Sequence, residues 1–156
     1  PALIQLKPTL APPQKIQILN QGTEGACTGF GLAAAINILN TRRNNTITVS
    51  PRMLYEMARK FDEWEGDKYS GSSCRGAING WANMGVCEES YWEYKASKPG
   101  TLSLAAAKNA RSNTIGAYYR IRPRIADFHT ALNEAGVIFC SANVHSGWSR
   151  EQVKSG

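Results

Sequence analysis

From Phe30 to Leu39 the chain is apolar on nearly every side: Phe30, Leu32, Ala33, Ala34, Ala35, Ile36, Ile38 and Leu39. A helix that is apolar all round is a buried one. It is predicted to run from Cys27 to about Asn40, before a polar loop from Thr41 to Thr46. Ser50-Pro51 opens a second helix, an N-cap followed by proline at the first helical position. Met53, Leu54, Met57, Ala58 and Phe61 share one of its faces, while Glu56, Arg59 and Lys60 lie elsewhere. That face predicts packing rather than chemistry. A third helix carries Cys74, Ala77, Ile78, Trp81 and Met84 along one side, and Gly85 stops it. Thr101 or Ser103 can cap a short helix from Leu104 to Ala110. Ile125, Phe128, Leu132 and Ala135 mark a last amphipathic helix, which Gly136 ends.

Two stretches change period. Ile115, Ala117, Tyr119 and Ile121 alternate with Gly116, Tyr118, Arg120 and Arg122, which predicts a half-buried strand ended by Pro123. Val137 to Val144 reads as another strand. Helices followed by strands predict an α+β protein. Residues 1–20 hold Pro8, Pro12 and Pro13 without a helical period, and read as an extended arm. Residues 21–112 form a mainly helical half, interrupted by an acidic, glycine-bearing loop over 62–73. Residues 113–156 begin a β half.

At 156 residues the chain suffices for one domain with a real core, and its 42% apolar and 19% charged contents are ordinary for a globular protein. The net charge of +6 is dispersed. Arg42-Arg43 and Arg120, Arg122 and Arg124 are the only clusters, so a solvated surface is expected rather than a nucleic-acid partner. No run reaches the ~18 apolar residues of a membrane span, and no signal-peptide pattern is present. The start at Pro1 rather than Met implies an upstream segment. Four cysteines do not make a disulfide framework. Cys74 and Cys87 flank a helix of about a dozen residues, too long at ~1.5 Å per residue to bridge. There is no CxxC and no zinc-ligand spacing.

Candidate chemistry concentrates in Gln21-Gly22-Thr23-Glu24-Gly25-Ala26-Cys27-Thr28-Gly29-Phe30. Cys27 opens the apolar helix beside a glycine-rich turn. Unpaired N–H groups and the macrodipole favour an anion at such a terminus, and the thiolate is the nucleophilic form of cysteine. The Gln21 side-chain amide and the Cys27 backbone N–H could serve as paired donors to a developing oxyanion. The alternative is a buried structural cysteine, since cysteine is among the most buried residue types.

Gln-x5-Cys, with Gly25-Ala26-Cys27 opening an apolar helix, resembles the active-site segment of papain-like cysteine peptidases, whose signature includes Cys-Gly-[Ser/Ala]-Cys-[Trp/Tyr]. Glu24 stands where the first cysteine of that signature would be, which removes a disulfide common in the animal and plant enzymes. Thr28 replaces the aromatic residue, as in the bacterial branch. The later order also matches: a Ser-Pro-started helix, a Gly/Ser loop, a helix ending in Gly-Val, then Tyr91-Trp92-Glu93-Tyr94. The resemblance covers about Leu6 to Trp148, roughly the first two thirds of such a catalytic domain. It implies a papain-like α+β fold, with a helical half carrying the nucleophile helix, the start of an antiparallel β half, and the active site in the cleft between them. It further implies Cys27 as nucleophile, Gln21 in the oxyanion hole, and Gly71 and Ser72 holding the backbone of an extended peptide. Cys140 would lie near the wall of the pocket for the substrate's second side chain. Neither metal nor cofactor is implied, and the partner is a peptide or protein substrate.

The base is the missing part. Such an enzyme needs a histidine, oriented by a third residue, usually Asn. The family places them roughly 130–150 residues after the cysteine, at about 157 or beyond. His129 lies on the more exposed side of its helix. His145, in Val144-His145-Ser146-Gly147-Trp148, reads as the strand end and loop before the catalytic strand. The catalytic His and Asn are therefore expected outside this chain, on a second chain or a C-terminal fragment. The sequence thus points to a cysteine-type peptidase. The alternatives are a catalytically silent peptide- or protein-binding scaffold, or a Cys-dependent acyltransferase or deamidase on the same fold.

Overall fold

The computed structural model describes residues 7–11, 16–66, 68–96 and 98–148. Among the described residues are five α-helices, α1 (Cys27–Arg42), α2 (Pro51–Phe61), α3 (Cys74–Met84), α4 (Leu104–Ala110) and α5 (Ile125–Ala135), and two single-turn 3₁₀ helices at Glu89–Tyr91 and Ser146–Trp148. Each α-helix falls where hydrophobic period and capping residues predict it. Ser50 Oγ accepts from Met53 N at 3.1 Å, Ser73 Oγ from Gly76 N at 2.9 Å, and Ser103 Oγ from Ala106 N at 3.1 Å. Each bond satisfies an orphan donor of a first turn. Ser103, not Thr101, is thus the cap of α4. Gly136 ends α5 in the left-handed conformation, at φ +77°. Two helices start without a side-chain cap: α1, whose N-cap Ala26 has no polar side chain, and α5, whose N-cap Arg124 makes no capping hydrogen bond.

The core is built around α2. Leu32, Ala33 and Ile36 of α1 meet Leu54 and Ala58 of α2 and Ala77 of α3, together with Val49 and Val86. On its other side α2 sends Met53 and Met57 against Cys87 and against Ala106 and Ala110 of α4. Glycines let the helices approach closely. A Cβ at Gly29 would stand 2.6 Å from Pro51 O and 2.7 Å from Tyr55 N, and one at Gly80 would stand 2.8 Å from the carbonyl carbon of Met57. The first turn of α1 is therefore seated directly on the backbone of α2.

The predicted arm lies partly outside the described residues, at 1–6 and 12–15. Within residues 7–11 and 16–20 there is neither helix nor strand. Leu19 packs against the core, and Lys7 N donates to Asn133 Oδ1 of α5 at 2.8 Å.

The β half is where expectation and structure part. Among the described residues the β pairing is a single antiparallel bridge, Val49 with Glu88, framed by Ser50 N to Cys87 O at 2.8 Å and Glu89 N to Thr48 O at 3.0 Å. The predicted strands around 115–122 and 137–144 form no ladder with any of the described residues. A strand exists through its neighbours' hydrogen bonds, and alternation alone supplies no partner. Val86 N and Trp81 Nε1 both donate to Asn113 O, at 3.1 and 2.9 Å. Beyond that anchor the chain runs into solvent, with Tyr119 85% exposed.

Candidate active site

Cys27 is exposed. It is the first residue of α1, while its neighbours Ala26 and Thr28 are buried. Among the described residues it is not buried. The exposure follows from the local fold, because Ala26, Phe30 and Tyr55 form a small apolar cluster that takes the inward face of the turn and leaves Cys27 facing out.

The loop before Cys27 is closely bonded. Gln21 Nε2 donates to Glu24 O at 3.1 Å, and the same carbonyl accepts from Ala26 N at 2.7 Å. A primary amide carries two N–H donors, so the bond to Glu24 leaves one for a ligand oxygen. Gly22 turns the chain at φ +63°, with its N–H bonded to Asn20 Oδ1 at 2.9 Å.

Gly71 and Ser72 are brought beside this loop. A Cβ at Gly25 would collide with the Ser70 hydroxyl and stand 3.3 Å from Gly71 N. Gly71 adopts φ +98°, a conformation that disfavours side chains, and its N–H donates to Tyr55 Oη of α2 at 3.1 Å. The Ser72 hydroxyl shares a hydrogen bond with that of Thr28, the residue after Cys27.

The segment near 140 also reaches this side of the molecule. The Phe139 ring lies against Gly31, 3.2 Å from where a Cβ would stand. Burial pushes the Cys74 thiol up, a bond with the Ser141 side chain opposes this, and the nearby thiols of Cys140 and Cys27 add to the rise. Cys27 opens α1, Cys74 opens α3, and Cys27 and Cys140 are exposed. The histidines are not brought in. His129 is exposed on α5, and His145 is exposed with its Nδ1 accepting from Gly147 N at 3.0 Å. No hydrogen bond among the described residues joins either to Cys27. A shallow cavity of about 300 Å³ between the arm, α1 and α5 is lined by Leu10, Ile38, Leu132 and Val137, and holds none of the candidate residues. Among the described residues no group of three His, Cys, Asp or Glu side chains is placed to hold a metal ion.

Sequence reasoning missed the charged cluster under the loop. Arg52 of α2, its side chain 0% exposed, grips both carboxylate oxygens of Glu24 at 2.7 Å. It also donates to Glu56 Oε1 at 2.9 Å and to Lys95 O at 2.8 Å, and lies over the Tyr94 ring at 4.5 Å. Burial works against its charge, but the bonds to Glu24 and Glu56 outweigh it, and the guanidinium pKa is raised. The one available signal was an arginine beside Pro51 and Met53 at the start of an amphipathic helix.

No family model matches the chain. A solved structure of xylellain, a cysteine protease from Xylella fastidiosa, superposes with a TM-score of 0.73 at 23% identity, over 83% of this chain and 54% of that one. The fold is papain-like. An uncharacterized peptidase C1-like protein, L477 of Acanthamoeba polyphaga mimivirus, is 29% identical over 97 residues, 62% of this chain and 31% of the relative. The chain thus spans about a third of that curated relative and about half of the solved structure. The papain-like part described here is the helical wall that carries Cys27 and the loop before it.

Proposed function

We propose that the chain is the cysteine-bearing portion of a papain-like peptidase that hydrolyses peptide bonds through an acyl-enzyme on Cys27. One observation carries this reading: Cys27 is solvent-exposed at the first position of a buried helix, with the Gln21 amide in the adjoining loop and Gly71-Ser72 alongside. The Cys27 thiolate attacks the scissile carbonyl carbon. The resulting oxyanion takes hydrogen bonds from Gln21 Nε2 and the Cys27 N–H, an arrangement worth about 10²–10³ in kcat per donor. The amine leaves with a proton from a histidine, and water then releases the acyl group.

Gly71 and Ser72 hold the substrate backbone. The Gly71 N–H is committed to Tyr55, so the Gly71 carbonyl and the Ser72 main chain do the pairing. The β half forms the facing wall of the cleft, and the histidine and asparagine come from outside this chain, on a second chain or a C-terminal portion. The xylellain likeness supports the cleft architecture.

The test is turnover of fluorogenic peptides by the full-length protein. Cys27→Ala is expected to abolish it, with Gln21→Ala lowering kcat about 10²-fold or more. Turnover retained by Cys27→Ala would overturn the assignment. A full-length parent that binds peptides without cleaving them would be a silent scaffold instead.

A further inference from the structure

Beneath the proposed oxyanion loop lies a charged cluster that touches none of the reacting atoms. Glu24 is the joint. Its main-chain carbonyl accepts from Gln21 Nε2 at 3.1 Å and from Ala26 N at 2.7 Å, so it is bonded on both sides of the turn. Its carboxylate is held by the bidentate fork of Arg52 at 2.7 Å on each oxygen. Tyr94 closes the third side. Its hydroxyl lies 2.7 Å from Gln21 O and 2.8 Å from Glu24 Oε2, and donates across both. Its ring stands edge-on to Phe30 at 4.6 Å and carries the Arg52 guanidinium on one face.

We infer that Glu24, Arg52 and Tyr94 are positioning residues that hold the Gln21 amide and the Cys27 turn in catalytic register. The inference rests on the reading of Cys27 as nucleophile. A fork-to-carboxylate pair fixes orientation as well as distance, which a lysine ammonium does not. The pair is anchored in turn, because Glu56 and the Lys95 carbonyl hold the far side of the guanidinium. Burial, chiefly, pushes the Tyr94 hydroxyl up to about 12, so it stays a donor throughout any working pH. An oxyanion donor must be held within about 0.5 Å of its productive place. Loop residues 21–26 have no secondary structure to hold them, and this cluster supplies the constraint.

The experiment uses the full-length protein with Tyr94→Phe, Glu24→Gln and Arg52→Lys. Tyr94→Phe keeps the ring contacts and removes only the hydroxyl. Its kcat is expected to fall about tenfold to a hundredfold, with KM changed less than about twofold. Binding of a peptide aldehyde, whose tetrahedral adduct places an oxygen in the oxyanion site, should weaken by the same factor. Alkylation of Cys27 by iodoacetamide, which needs no oxyanion donor, should keep the parental rate. The Glu24→Gln/Tyr94→Phe double variant should lose less than the product of the single losses, as members of one network do. Parental kcat and aldehyde affinity in folded Tyr94→Phe and Glu24→Gln would overturn the inference, as would losses that merely track the unfolded fraction. A parent inactive toward peptides and aldehyde alike would instead sink the nucleophile reading and this inference with it.

Discussion

Thr28 and Ser72 join side chains across the base of the site, one from the first turn of α1 and the other from the segment that precedes α3. Neither sits in regular structure shared with the other. Their bond helps hold the turn that carries Cys27 against the proposed peptide-binding segment. Thr28 is buried, so its hydroxyl has little access to water as a substitute partner.

Ser72→Ala is therefore expected to lower stability by about 1 kcal/mol, the usual cost of removing one partner from a buried hydrogen bond. Its KM for a peptide should rise several-fold while kcat stays near the parent, because the change loosens binding and not chemistry. A double-mutant cycle with Thr28→Val, read by urea denaturation and steady-state kinetics, checks both. Coupling indistinguishable from zero would show that the bond contributes nothing.

Gly29→Ala tests the seating of α1 on α2. The added methyl would meet Pro51 O at 2.6 Å and Tyr55 N at 2.7 Å, main-chain atoms that cannot swing aside. The expected loss is about 1–3 kcal/mol, as for overpacking elsewhere, even though alanine is the better helix former by about 1 kcal/mol. Stability equal to or above the parent in chemical denaturation would refute the close approach.

The four thiols should separate by exposure. Cys87 is fully buried and burial pushes its thiol up to about 11, while Cys27 and Cys140 are exposed. At pH 8, peptide mapping after a short iodoacetamide pulse should find Cys27 and Cys140 labelled and Cys87 untouched. The same shift sets a pH dependence. The folded chain holds a proton that the unfolded chain releases above about pH 8.5. Its stabilisation is complete below that value and is lost as pH rises toward about 11. A denaturation series from pH 7 to 10 should show the decline, and Cys87→Ala should remove that component.

The helices were legible because their signals are local. Ser50-Pro51, the Gly85 stop and the choice of Thr101 or Ser103 are signals readable within a few residues of the elements they bound, whereas the Ser73 cap shows only in the structure. The alternation at 115–122 and 137–144 was legible as pattern but carries no address for a pairing partner. The described residues accordingly show irregular chain there, not sheet. At the site, the exposure of Cys27 could be anticipated from a glycine-rich turn against an apolar helix. The Arg52–Glu24–Tyr94 cluster could not. Glu24 and Arg52 are 28 positions apart and Glu24 and Tyr94 are 70 apart, and neither helical period nor composition relates them.

The Glu24–Arg52 grip has a practical side. Where a papain-like signature carries cysteine, this chain ties its loop with charge, and charge is indifferent to reducing agents. Millimolar thiol reductant can keep the exposed Cys27 thiol reduced without loosening the turn that presents it.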